Sequence, residues 1–216
     1  MIELSKKVQG KIVKNKPSNL LKVFVAGGSL EVSSFYYRDA YKIGRLLAEL
    51  KVGYGQGGNT QKNTIMGESF RGYKEAGGLE TSFLVENIYY DKAMNDMVDS
   101  LFIIDSAFDL TKAEYLWADI VLILPGGHGT LNEITSLVER KRESGKGPEI
   151  IIYNQHIDGR CFFDGYIEIV NDMKKEKFID EDKITKEFKI ATTIIDLEKI
   201  IRMDVERLKN EKNSII

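Results

Sequence analysis

The sequence predicts an α/β protein with a doubly wound parallel sheet in one domain. Two observations carry that prediction. Short apolar runs alternate along the chain with segments whose apolar residues recur at three and four, the pattern of strands alternating with helices. The run Ile120-Val121-Leu122-Ile123-Leu124 has no polar residue between its apolar ones. A strand of that kind is covered on both faces, as in a parallel sheet with helices on either side.

Residues 1–20 carry Lys6, Lys7, Lys11, Lys14 and Lys16 among scattered apolar positions and are expected to be an arm or short helix ahead of the domain. The domain itself runs over 21–216. Leu21–Ala26 is the first strand, followed by the turn Gly27-Gly28-Ser29 and a helix over about 34–50. Val52–Gln56 is a second strand, then Gly57-Gly58-Asn59-Thr60, then a helix over about 64–76 stopped by Gly77-Gly78. Thr81–Val85 and Leu101–Ile104 are the next strands, with an acidic, tyrosine-bearing connection over 87–99. A helix over about 110–118 leads into the central strand. After the central helix come the loop Gly145–Pro148, a strand over 149–153 and a helix over about 162–175. A charged loop over 177–189 precedes a short strand or extended segment over 191–195. Asp196 is expected to cap the last helix.

The central feature is Pro125-Gly126-Gly127-His128-Gly129-Thr130-Leu131-Asn132-Glu133. Pro125 ends the strand because it cannot donate to a sheet ladder. The glycines let a ligand approach the main chain, and the following helix presents free N–H groups and the positive end of its dipole to the turn. That is a site for a phosphate or carboxylate. A plainer reading also fits: Thr130 as N-cap and Glu133 three residues on have the spacing of a capping box. Gly27-Gly28-Ser29, after the first strand, falls where doubly wound sheets bind ligands. Gly53, Gly55 and Gly58 formally satisfy G-x-G-x-x-G. The match overlaps the second strand rather than following the first, so a dinucleotide site is not expected.

Bulk composition excludes several classes. A net charge of −2 offers no basic excess for nucleic acid. Cys161 is the single cysteine, so there is no internal disulfide or cysteine metal cluster, and His128 and His156 are too few for a histidine-rich metal site. Residues 1–20 have no apolar core for a secretion signal, and no apolar run is long enough to span a membrane. A cytoplasmic protein with no metal and no cofactor is expected. No lysine is singled out for a pyridoxal phosphate site, which argues against amino-acid decarboxylation.

From Leu21 to the last helix the chain resembles the LOG family, the cytokinin riboside monophosphate phosphoribohydrolases often labelled lysine decarboxylases. The string Pro-Gly-Gly-x-Gly-Thr-x-x-Glu from Pro125 to Glu133 matches the family signature without a break. Val23–Ser29 looks like its first strand and turn, and Gly57–Thr60 through Ile65-Met66-Gly67 looks like an expanded form of its glycine-rich loop. The resemblance implies a Rossmann-like fold, a homodimer, and hydrolysis of the N-glycosidic bond of a nucleoside 5′-monophosphate to free base and ribose 5-phosphate. Glu133 would be the catalytic carboxylate. Gly27, Gly28, Ser29, Gly57, Gly58, Gly126, Gly127, Gly129 and Thr130 would hold the nucleotide.

One departure bears on activity. Where the family has an Arg-Lys pair before the central strand, ungapped counting gives Leu110 and Thr111; Lys112, one residue on, is the candidate substitute cation. Two readings follow. The chain is a nucleotide N-glycosidase, or it is a non-catalytic nucleotide-binding sensor or carrier that kept the phosphate turn.

Overall fold

The computed structural model describes residues 8–89, 98–179 and 188–214. The parts of the predicted arm, of the 87–99 connection and of the 177–189 loop that fall between these ranges lie outside the described residues.

Eight strands form one sheet. In chain order the elements are β1 (Gly10–Lys14), β2 (Lys22–Ala26), α1 (Ser34–Glu49), β3 (Gly53–Gln56), α2 (Ile65–Glu75), β4 (Thr81–Glu86), β5 (Ser100–Ile104), α3 (Ala107–Trp117), β6 (Ile120–Ile123) and α4 (His128–Ser144). They continue with β7 (Glu149–Tyr153), β8 (His156–Ile157), β9 (Arg160–Cys161), α5 (Asp164–Lys175), β10 (Lys189–Ala191) and α6 (Ile194–Asn213). The sheet order is β1-β5-β4-β3-β2-β6-β7-β10, parallel throughout except for the antiparallel pair β1–β5.

Side-chain alternation divides the core between the two faces. Val23, Val25, Leu122 and Leu124 join Ile43 and Leu47 of α1, Phe70 and Tyr73 of α2, and Leu197 and Ile201 of α6. Phe24, Ala26, Val121 and Ile123 join Ala113 and Trp117 of α3, Ile134 and Leu137 of α4, and Phe163 beside α5. Both faces are covered, as the unbroken apolar run at 120–124 requires. On the first face α1 and α2 cross at backbone contact. A Cβ on Gly44 would stand 1.9 Å from the carbonyl oxygen of Ser69, and one on Gly72 would stand 2.1 Å from that of Tyr41.

Four expectations need correction. Residues 10–14 are not an arm or helix but the first strand of the sheet, pairing Gly10 with Ile104 and Ile12 with Phe102. The helix expected from 110 begins at Ala107, because the Ser106 hydroxyl accepts from Asp109 N–H at 3.2 Å and caps it a turn earlier. The last helix is capped by Thr193, whose hydroxyl accepts from Asp196 N–H, so Asp196 sits inside the first turn. Its preceding strand is 189–191 rather than 191–195. Between β7 and α5 lies a small hairpin, β8–β9. Its turn residues Asp158 and Gly159 both have positive φ (51° and 84°), the geometry that favours Asp-Gly in two-residue hairpins.

Candidate functional site

The strand order reverses between β2 and β6. The chain leaves β2 toward β3 on one side and leaves β6 toward β7 on the other, so the loops after these two strands diverge and open a crevice at their carboxyl ends. Gly28 N–H donates to the Pro125 carbonyl at 2.9 Å, and the Gly28 carbonyl accepts from Met66 N–H at 3.2 Å. Gly28 therefore joins two loops and the start of α2 rather than offering its N–H to a ligand. Asn59 adds a third loop: its amide donates to the Ser29 carbonyl at 2.7 Å and its side-chain oxygen accepts from Gln61 N–H at 2.8 Å.

The turn after β6 differs from the capping-box expectation. Gly127, in extended backbone, is the N-cap residue of α4, and no side chain caps the helix. The first closing bond runs from Leu131 N–H to the Gly127 carbonyl at 3.1 Å. His128, Gly129 and Thr130 precede it, so their N–H groups point out of the helix end without intrahelical partners. Thr130 is buried and packs back on the turn: its hydroxyl oxygen lies 2.1 Å from where a Cβ on Gly126 would stand. Gly126 is glycine for that reason. Gly127 and Gly129 have no such constraint, since a Cβ on either meets nothing within 4 Å. The space beside them is open.

A cleft of about 1210 Å³ lies over this crevice. Gly27, Gly28, Ser29, Gly57, Gly58, Gly126, Gly127, Gly129, Thr130 and Glu133 all line it, so residues more than a hundred positions apart in sequence are brought to one cleft. Lys112 does not line it. Leu110 and Thr111 do, and no described Lys or Arg lines the cleft, so the substitute cation is absent from the described wall. Gly55 packs against the Trp117 ring, 2.5 Å from a would-be Cβ, so this glycine of the G-x-G-x-x-G match is explained by packing.

Three lining residues are acids: Glu86 at the end of β4, Glu114 on α3 and Glu133 on α4. Glu133 is half-buried, and burial pushes its carboxyl up to about 8. Glu114 is fully buried, and neither carboxyl oxygen has a hydrogen-bond partner. Burial raises its pKa well above the ordinary carboxylate value, and the neighbouring Glu133 raises it further. Sequence reasoning missed Glu114. Its signal was an acid among Leu110, Thr111, Trp117 and Ala118, which share a helical stripe with it at three and four. Tyr36 and Phe162 also line the cleft, as an edge-to-face pair with centroids 5.8 Å apart. Among the described residues no group of three or more His, Cys, Asp or Glu side chains is placed to hold a metal ion. No helix of the described residues is long and apolar enough to cross a membrane.

Fold and cleft together define a Rossmann-like α/β protein with a helix terminus that no side chain caps at its switch point. The chain belongs to the family described as "Possible lysine decarboxylase", which matches residues 66–201, and the resemblance to the LOG proteins of that family stands. Solved structures share the fold. The molybdenum cofactor binding protein of the phototrophic bacterium Rippkaea orientalis is 18% identical with a TM-score of 0.60, over 87% of this chain and 98% of that one. The molybdenum cofactor carrier protein of Chlamydomonas reinhardtii is 14% identical with a TM-score of 0.61, over 87% and 99%. DNA processing protein A of Streptococcus pneumoniae is 16% identical with a TM-score of 0.54, over 82% of this chain and 60% of that one. No curated protein sequence matches the chain.

Proposed function

We propose that the protein hydrolyses the N-glycosidic bond of a nucleoside 5′-monophosphate, releasing free base and ribose 5-phosphate. The observation that carries this reading is the coincidence, on one cleft, of the open α4 terminus at Gly127–Thr130 with the carboxyl group of Glu133. The helix end suits a phosphate, which accepts from the free N–H groups and interacts with the positive dipole end. Cleavage builds positive charge on the ribose, and a carboxylate beside the sugar stabilises that charge or activates water. Glu133 is not needed as a cap, since Gly127 begins the helix. The aromatic pair Tyr36–Phe162 offers a wall for the base. Residues 1–20 precede the nucleotide-binding domain in this reading, with 10–14 contributing only its edge strand.

A second reading is a non-catalytic nucleotide-binding sensor or carrier. It is favoured by Leu110 and Thr111 on the cleft wall, where the LOG family has Arg and Lys, and by the lack of a described cation there. Incubation with a panel of nucleoside 5′-monophosphates, followed by chromatography for free base, separates the two. Release of base supports the hydrolase. Saturable binding of a monophosphate without release from any member of the panel leaves the carrier.

A further inference from the structure

Glu114 is a feature of the cleft that ordinary folding does not explain. It is 0% exposed, both oxygens lack partners, and it reaches the same cleft wall as Glu133. An acid left unpaired in a protein interior is destabilising, and an apolar side chain at that helical position would lie on the same helical stripe as Leu110 and Trp117 without the penalty. Groups kept at such a cost concentrate where chemistry needs them. The position also matters: Glu114 stands one turn along α3 from Leu110, beside a cleft that no described Lys or Arg lines.

We propose that Glu114 is the general acid of the reaction, protonating the leaving base. The inference rests on the hydrolase reading above. As the bond from C1′ of the ribose to the base nitrogen breaks, its electron pair goes to the base. The Glu114 proton moves to a ring nitrogen of that base. Glu133, as carboxylate, faces the developing positive charge on the sugar. A water oxygen then bonds to C1′, and the water's proton returns to the pair, so that nucleotide and water become base and ribose 5-phosphate. Two acids on one cleft thus take different tasks.

The test uses the full chain and two substrates: the nucleoside monophosphate cleaved best by the wild type, and 4-nitrophenyl ribofuranoside 5-phosphate, whose leaving group departs without a proton. Glu114→Gln is expected to lose about a hundredfold or more in kcat/KM on the nucleotide and only a few-fold on the nitrophenyl substrate. Glu133→Gln is expected to lose both. Because the substitution removes a buried unpaired acid, Glu114→Gln is expected to melt no lower than wild type. Glu114→Met carries the same comparison if the glutamine variant does not fold. Nucleotide cleavage by Glu114→Gln at the wild-type rate overturns the assignment and leaves the hydrolase reading intact. Equal loss on both substrates, or a wild type that cleaves the nucleotide but not the nitrophenyl compound, also overturns it. A wild type that cleaves neither substrate removes both readings.

Discussion

Thr130 and Gly126 occupy each other's space: the threonine hydroxyl stands 2.1 Å from where any side chain on Gly126 would begin. The turn is thus held by a buried contact, while Gly127, the next residue, borders open space. This separates the structural glycine from the one that leaves room for a ligand. Gly126→Ala is expected to lower the melting temperature, because the clash is with a buried side chain and with the backbone N–H of Gly28 beyond it. Gly127→Ala is expected to melt within a degree or two of wild type yet bind a nucleoside monophosphate more weakly. Calorimetry on the two variants checks both statements, and equal binding by Gly127→Ala and wild type would count against a ligand at the turn.

A phosphate at the α4 terminus makes a second prediction. A nucleoside should bind at least about tenfold more weakly than its 5′-monophosphate, since each charge-assisted contact is worth roughly 1.5–3 kcal/mol. Equal dissociation constants for the pair in titration calorimetry would exclude the turn as the phosphate site.

Glu133 makes a third. Its carboxyl is raised from an ordinary 4.5 to about 8 by burial. The native state therefore holds a proton that the unfolded chain has already released between those values. Its contribution to stability is greatest at the acid end of that window and falls as pH rises toward 8, by at most about 1.4 kcal/mol per pH unit from one group. Glu133→Gln should remove this fall, so its melting temperature should gain on wild type from pH 5 to 8. The same carboxyl must be ionised to stabilise a glycosyl cation, so wild-type kcat/KM should climb with pH until about 8. Glu133→Gln should lose about a hundredfold in rate while still binding nucleotide. A rate profile flat from pH 6 to 9 would refute the carboxylate role.

The LOG resemblance implies a fourth, that two copies associate. Light scattering at micromolar concentration should return about twice the mass of one chain, and a strict monomer would contradict it.

Much of this architecture was legible in the residues themselves, for identifiable reasons. Strands buried on both faces carry unbroken apolar runs, so 120–124 declared a covered parallel sheet. The glycine turn was visible because few residues tolerate its close contacts. What escaped depended on partners distant in sequence. Lys11, Ile12 and Val13 form a strand only because β5 offers an edge to them, and every residue of β1 remains exposed. The start of α4 moved forward because Thr130, a good cap in isolation, is drawn against Gly126 instead. Glu114 gains its meaning from Glu133, which lies on another helix, and no local pattern links the two. The Asp158-Gly159 hairpin, by contrast, was readable in two residues and was passed over.

The margins of the sheet bear on how copies of this protein can meet. At one margin β1 runs opposite to its neighbours, carries Lys11 and Lys14, and is kinked by an irregularity between Ile12 and Lys14. At the other, β10 has three residues, and its Lys189 is engaged by Glu149 and Asp204. Neither offers a long flat row of free backbone groups on which another strand could template. Association by extending the sheet from one molecule into the next is thereby discouraged, so the dimer expected from the LOG resemblance would have to form through helices and loops.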